Sequence, residues 1–353
     1  MRRLFTRMFS KNRPLFPYIT AAGLLIAAML AGISTGSVKV PIMDVARIIG
    51  SEAFRLPIEV QSDPMYMNIV MNIRLPRVVL AGLVGASLAI AGAAFQGLLR
   101  NPLADPYTLG VSSGASVGAV VTIFYQLSLP LAGMYTLPLL SIACAFITII
   151  LVLFFARSID RTMKVETIIL TGIIFSSFLG AVISLMIALS GEELRQIIGW
   201  LLGSVSMRGW SFVQIMLPFL LIGSCILFWN ARELNAIAFG EERAKQLGVN
   251  VGSRKIAVLA SSSVLTGAAV AVSGTIGFVG LVIPHLVRIL WGPDHKHLLP
   301  LSVLAGAAFL ILADLVARII IEPAELPIGV ITALIGAPVF AAILIRRRMG
   351  KRS

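Results

Sequence analysis

Long uncharged runs alternate with short charged ones along almost the whole chain. The apolar runs cover residues 14–38, 78–99, 106–156, 167–191, 209–231, 256–287, 298–317 and 326–345, with Asp314 the one charge inside the seventh. A helix needs about 20 mostly apolar residues to cross the hydrocarbon core of a bilayer. Runs 106–156 and 256–287 exceed one crossing. Each contains a break, at Pro130 and Gly133 in the first and at "SGTIGFVG" and Pro284 in the second. Each is read as two helices, the last of them short. The pattern predicts an all-α polytopic membrane protein of ten transmembrane helices, a single transmembrane domain over residues 1–353.

Charge placement orients these helices. With the N-terminus inside, alternate loops put 21 of the 29 Lys and Arg residues on the inner side and eight on the outer side. An excess of Lys and Arg in inner loops is the orientation signal of membrane proteins, so both termini are expected in the cytoplasm. Composition agrees with the pattern. Of 353 residues 13% are charged and 58% hydrophobic, where a soluble domain carries about 25% charged residues. The net charge of +13 needs no nucleic acid, because basic inner loops face anionic lipid. The first run has 25 uncharged residues, more than a cleavable signal core, and is read as a retained span. Cys144 and Cys225 both fall in apolar runs and read as small fillers rather than a disulfide framework.

Small residues recur at helix-packing spacing: Gly85, Ala89 and Ala93; Gly172, Ser176 and Gly180; Gly274, Gly277 and Gly280. Such positions let backbones approach closely where lipid supplies no hydrophobic drive between helices. They predict a dense bundle.

Several chemistries are missing or weak. The chain has no G-x-x-x-x-G-K-[ST] phosphate loop and no H-E-x-x-H. Asp294, His295 and His297 share the turn "GPDHKHLLP", which reads as a solvated turn before it reads as a metal site. "GVSSG" at 110–114, with His285 further on, matches a serine-nucleophile pattern, so an intramembrane serine protease is one enzyme reading. The same segment reads simply as a packing face. An ion-gradient-driven secondary transporter is another alternative, but such proteins carry midplane carboxylates, and these spans hold only Asp314, near an end.

One polar segment stands apart. Residues 232–255 include "LNAIAFGEERAKQLGVNVGSRK", helix formers through Leu247 with Gly248 placed to cap them.

Taken together, five stretches carry a resemblance. They are "RLPRVVLAGLVGASLAIAGAAFQGLLRNPLADPYTLGVSSGAS" from Arg74, "GEERAKQLGV" from Gly240, "GTIGFVGLVIPHLVRIL" from Gly274, "LLPLSVLAGAAFLILADLVAR" from Leu298 and "AELPIGVITALIGAPVF" from Ala324. In this order and spacing the chain resembles the FecCD-type permeases, the membrane subunits of ABC importers for iron-siderophore complexes, haem and cobalamin. The resemblance implies a cobalamin-permease-like bundle in the cytoplasmic membrane, not an enzyme, that binds no cofactor itself and uses ATP through a separate ATPase subunit. Its implied partners are that ATPase, an extracytoplasmic substrate-binding protein, and a second permease copy (homodimer) or close paralogue. An iron-siderophore complex is the expected cargo, with cobalamin or haem as close options.

The resemblance also assigns residues. The segment 232–255 becomes the coupling loop, with ATPase contact at Gly240, Glu241, Ala244, Leu247 and Gly248. Arg74, Arg77 and Arg318 match arginines that meet glutamates of a binding protein in the cobalamin permease. From sequence alone Arg318 lies four residues after Asp314, which fits a local helix pair equally. The cytoplasmic gate falls in residues 163–167, where this chain has "KVET" in place of small hydroxyl residues, and Glu166, Thr167 and Thr171 are its candidate gate or path residues.

Overall fold

A computed structural model of the protein describes residues 15–36, 38–52, 55, 64–130 and 132–349. The basic ends that help set the expected orientation, Arg2 to Arg13 and Lys351 to Arg352, lie outside the described residues. Among the described residues the only extended pairing is one isolated bridge between Ile321 and Ala324. Helix is the expected answer to lipid, since each backbone polar group must find a partner within its own segment. In chain order the helices are α1 (Leu15–Ser34), α2 (Ile42–Glu52), α3 (Leu75–Leu98, which continues a short helix Pro64–Asn68 and a π-helical segment Ile69–Arg74), α4 (Val111–Phe124) and α5 (Thr136–Ile159). There follow α6 (Val165–Leu189), α7 (Leu194–Leu201), α8 (Gly209–Trp229), α9 (Ala231–Ala238) and α10 (Glu241–Gln246). The last four are α11 (Val251–Ser273), α12 (Val279–Trp291), α13 (His295–Ile319) and α14 (Ile328–Met349).

Among the described residues seven helices are long and apolar enough to cross a membrane, and three apolar ones, α4, α12 and the first part of α14, are shorter. At 14 and 13 residues, α4 and α12 rise about 20 Å. Their backbones explain the shortness. A 3-10 turn at Pro106–Leu109 precedes α4, and Gly110 opens it at φ +77°. Gly274 ends α11 at φ +72°, and Phe278 opens α12 at φ +69°. The two turns are stapled together: Tyr107 Oη donates to the Ile276 carbonyl (2.9 Å) and accepts from the Ile276 N–H (3.0 Å).

At the centre stands α3, with 21 of its 24 residues buried, so no face of it is left for lipid. It is small-residue rich, and its neighbours come backbone to backbone. A methyl group on Gly92 would overlap the carbonyl of Gly280 on α12, and one on Gly85 would overlap the carbonyl of Gly306 on α13. Around this centre, α4 lies on α5 with Gly118 backed against the Leu140 carbonyl, which a methyl would meet at 2.6 Å. Against the turn before α4 lies α6, where a methyl on Gly172 would stand 2.6 Å from the Thr108 carbonyl. The first small-residue series therefore packs as expected. In the second, Gly180 has open space beside it; in the third, Gly277 does, and Gly274 serves a turn rather than a packing stripe. The periphery is apolar and uncovered. Only Ile168, Thr171, Gly172 and Met186 of α6 are buried, while Leu170, Ile174, Phe178 and Leu185 are exposed.

Gly92→Leu should drive side-chain atoms into the α12 backbone, at a cost of about 1–3 kcal/mol or a failure to assemble. Thermal unfolding of detergent-solubilised protein should show a lowered midpoint for Gly92→Leu and an unchanged one for Gly277→Ala.

Candidate functional site

The polar segment after α8 folds into a short, firmly held knob. Helix α9 leads to Gly240 at φ +119°, α10 follows, and Gly248 turns the chain at φ +83°. Two hydrogen bonds close this turn: Gly248 N–H donates to the Lys245 carbonyl (2.9 Å) and Val249 N–H to the Ala244 carbonyl (3.0 Å). That pair of bonds is a Schellman cap. No heavy atom lies within 4 Å of a methyl built on Gly248, so its backbone angle alone demands glycine. Side chains then moor the knob. Asn235 Oδ1 accepts from the His295 N–H (2.9 Å) and faces His295 Nδ1 at 2.8 Å, while its Nδ2 donates to Asp294 Oδ1 (2.7 Å). Arg254 pairs with Glu233 at 3.3 Å, and Glu241 with Lys255 at 2.8 Å.

Of the five residues expected to touch an ATPase, four sit at the knob's surface or turns. Ala244 does not: it is fully buried and seats α10 on the body, because the small side chain lets the helix lie close. The knob instead presents Leu247 (72% exposed) and Phe239 (69% exposed), with Glu242 and Lys245 paired at 2.7 Å beside them. The sequence reading passed over Phe239 and Asn235, whose hydrophobicity and amide carry no signal of their own.

Beside the knob lies the loop before α6. Asp160 organises it: Oδ1 accepts from the Thr162 N–H (2.9 Å) and hydroxyl (2.7 Å), and Oδ2 from the Lys164 N–H (3.3 Å). The Thr162 bonds come first among the influences that hold this exposed carboxyl below its usual range. Met163, at φ +50°, is buried. Glu166 is exposed and Thr167 half-buried. Thr171 is buried, and its hydroxyl donates to the Thr167 carbonyl of its own helix at 2.8 Å.

At the other end of the bundle the three arginines converge. Arg74 donates to the carbonyls of Ile33 (2.9 Å), Ser34 (3.1 Å) and Val38. Arg77 grips Asp314 through Nε and Nη2 at 2.9–3.1 Å and reaches Glu325 Oε1 at 2.8 Å and Ser206 at 3.3 Å. Arg318 pairs with Asp314 at 3.2 Å and donates to the carbonyls of Gly32 (3.0 Å) and Thr35 (3.3 Å). Burial pushes the Glu325 carboxyl up, but its bond to Arg77 and the charges of Arg77 and Arg318 hold it below its usual range. Arg74, Arg77 and Arg318 are 5%, 9% and 8% exposed and Asp314 is fully buried. The arginines expected on a docking surface thus point inward, and the local Arg318–Asp314 pair is present.

The remaining polar motifs are spent on packing. Asp294 caps α13 by accepting from the Lys296 N–H (3.0 Å), and His297 Nδ1 meets the Tyr18 hydroxyl at 3.0 Å. His285 faces the Phe340 ring edge-on, centroids 6.2 Å apart, and Gly114 of "GVSSG" backs onto Thr148.

A family model for FecCD transport proteins matches residues 24–346. The chain is 62% identical to the ABC transporter permease protein YvrB of Bacillus subtilis (strain 168) over the full length of both. It is 45% identical over 292 residues to the cobalamin import system permease protein BtuC of Halobacterium salinarum, covering 83% of this chain and 77% of that one. With the hemin transport system permease protein HmuU of Yersinia pestis it shares 40% over 304 residues, 84% and 89% of the two chains. A solved metal-chelate type ABC transporter in an inward-facing conformation superposes with a TM-score of 0.80 at 34% identity, covering 93% of this chain and 98% of that one. A match spanning the arginine cluster, the knob and every long helix admits one conclusion: this multi-pass membrane chain belongs to the FecCD transport family.

Proposed function

We propose that the chain is the membrane-spanning permease subunit of a binding-protein-dependent ABC importer for a metal chelate, an iron-siderophore complex first, with cobalamin or haem as close options. The observation that carries this reading is the knob: a glycine-framed, side-chain-moored helix with exposed Leu247 and Phe239, on a chain with no phosphate loop of its own. Force from ATP must then enter through a partner's surface, and a rigid apolar-tipped projection suits that contact. Gly240, Glu241 and Gly248 hold its shape, Ala244 seats it and Leu247 touches the ATPase.

The rest of the geometry supports the same assignment. Ten apolar helices cross the cytoplasmic membrane with both termini inside, the short α4 and α12 extended by their leading turns. The uncovered apolar face of α6 suits a second permease copy or close paralogue, with Glu166, Thr167 and the loop before them at the inner mouth of a shared path. Asp314, the one acid within the apolar runs, is held by two arginines, which leaves it poorly placed to cycle protons or sodium for a secondary transporter.

The arginine cluster takes a different place in docking than its sequence suggested. It ties the outer ends of α1, α3 and α13 into a platform. Only Glu325, whose side chain is 40% exposed, lies at its rim. A glutamate of the binding protein would reach Arg77 by displacing Glu325, while Arg74 and Arg318 add to the attraction from below.

Cysteine labelling should find positions 241 and 349 reactive from the cytoplasm and 39 and 195 from outside; external labelling at 241 would remove the coupling role. Gly248→Val should cut transport and partner-stimulated ATP hydrolysis by about tenfold at normal membrane insertion, with Gly248→Asn milder because asparagine tolerates the left-handed region. Arg77→Gln should lower stability by about 3 kcal/mol, since it strips a buried carboxylate of its main partner. Glu325→Gln should leave the fold intact and alter binding-protein association in a salt-dependent way; equal affinity for native and Glu325→Gln chains at low salt would assign the cluster to structure alone.

A further inference from the structure

We propose that Lys255 is the positioning residue that carries movement of the cytoplasmic knob to the loop before α6. The inference rests on the importer reading above. Lys255 lies in the second turn of α11 and is 3% exposed. Its Nζ donates to the Met163 carbonyl at 2.9 Å and meets Glu241 Oε1 at 2.8 Å. A buried ammonium must be paired and hydrogen-bonded to be tolerated, and here the two partners belong to different working parts. Glu241 is the first residue of α10 in the knob. Met163 sits in the turn that Asp160 organises, two residues before α6 begins.

Neither partner can yield independently. Gly240 and the cap at Gly248 bracket α10, so Glu241 moves only with the knob. Met163 is itself buried, at φ +50°, in a turn closed by three bonds to Asp160. A displacement of α10 of about 1 Å would stretch a 2.8 Å contact beyond hydrogen-bond range unless Lys255 and the Met163 turn follow. Leaving the buried ammonium without its carboxylate is strongly unfavourable, which drives the turn to follow. The other polar moorings of the knob run elsewhere: Asn235 to the start of α13, and Arg254 back to Glu233. Lys255 joins the coupling helix to the gate loop.

The test uses the complete complex with its ATPase in inverted membrane vesicles, in a background of Cys144→Ser and Cys225→Ser. A single cysteine, Glu166→Cys, reports the gate loop through its labelling rate with a membrane-impermeant maleimide, with and without a non-hydrolysable ATP analogue. In a parallel set Leu247→Cys is cross-linked to the ATPase to report that the knob is seated. In the Lys255-native chain the analogue should change the labelling rate. Lys255→Met keeps the apolar stem and loses the ammonium; it should shrink that change by about fivefold or more while the cross-link persists. Lys255→Arg should restore it, which a purely structural role would not predict. If Lys255→Met does not accumulate, Glu241→Ala cuts the same tie from its more exposed end and should shrink the change likewise. A change of native size in either variant with the cross-link intact overturns the proposal and leaves the importer reading standing. So does a seated native knob with no response at position 166. If Leu247→Cys cross-links to no ATPase in the native complex, both the coupling reading and this proposal fall.

Discussion

The close approach of α3 to α12 and α13 is the constraint on which the bundle depends. Gly92 against Gly280 and Gly85 against Gly306 leave no room for even a methyl group. Inside a bilayer, lipid tails satisfy an apolar side chain as well as a neighbouring helix does, so association relies on packing and on interhelical polar contacts. Glycine and alanine along α3 let backbones meet and multiply dispersion contacts that are each small. With 21 of 24 residues buried, α3 becomes the post around which the longer helices stand. Its neighbours inherit their positions from it: α12 through Gly280, and α4 through the Tyr107 staple to the turn before α12.

Polar interactions then fix the two ends of this apolar body. At one end Arg74, Arg77 and Arg318 gather carbonyls of α1 and the carboxylates of Asp314 and Glu325. At the other end Asn235, Arg254 and Lys255 moor the knob to α13 and α11 and, through Met163, to the loop before α6. Buried charges of this kind contribute less to net stability than their bonds suggest, because desolvation offsets much of the attraction. Their effect is to specify where helix ends sit. A transporter needs that: a packed middle that moves as a unit, and ends whose attachments decide which pieces move together.

The division of labour follows from the same arrangement. In the proposed importer ATP is spent by a partner subunit, and chemical energy enters this chain at a protein surface. Phe239 and Leu247 are apolar yet exposed, each just before a glycine turn, and hydrogen bonds close the turn at Gly248. In the proposed function these two side chains are the surface that a partner ATPase meets. The uncovered face of α6 lies beside the loop that precedes it, and Lys255 spans the short distance between that loop and the knob. The knob, Lys255 and the loop before α6 thus occupy neighbouring elements at one end of the molecule.

The sequence by itself determined the solvent, the helical class and the knob. Uncharged runs of spanning length and Gly248 after a short charged helix are local signals, and the structure's long helices and Schellman cap lie where those signals put them. Only the tertiary structure decided which helix is the core. In water an amphipathic stripe marks the buried face, but in lipid both faces are apolar, so α3 and α6 read alike in sequence while one is enclosed and the other bare. Two runs held helices shorter than a full crossing because positive-φ turns at Gly110, Gly274 and Phe278 consumed their ends. The arginines turned inward because Asp314 stands 237 positions from Arg77 in sequence and about 3 Å from it in space. Ala244 proved an anchor and Lys255 a bridge for the same reason: a contact between distant segments leaves no trace in the local pattern of either.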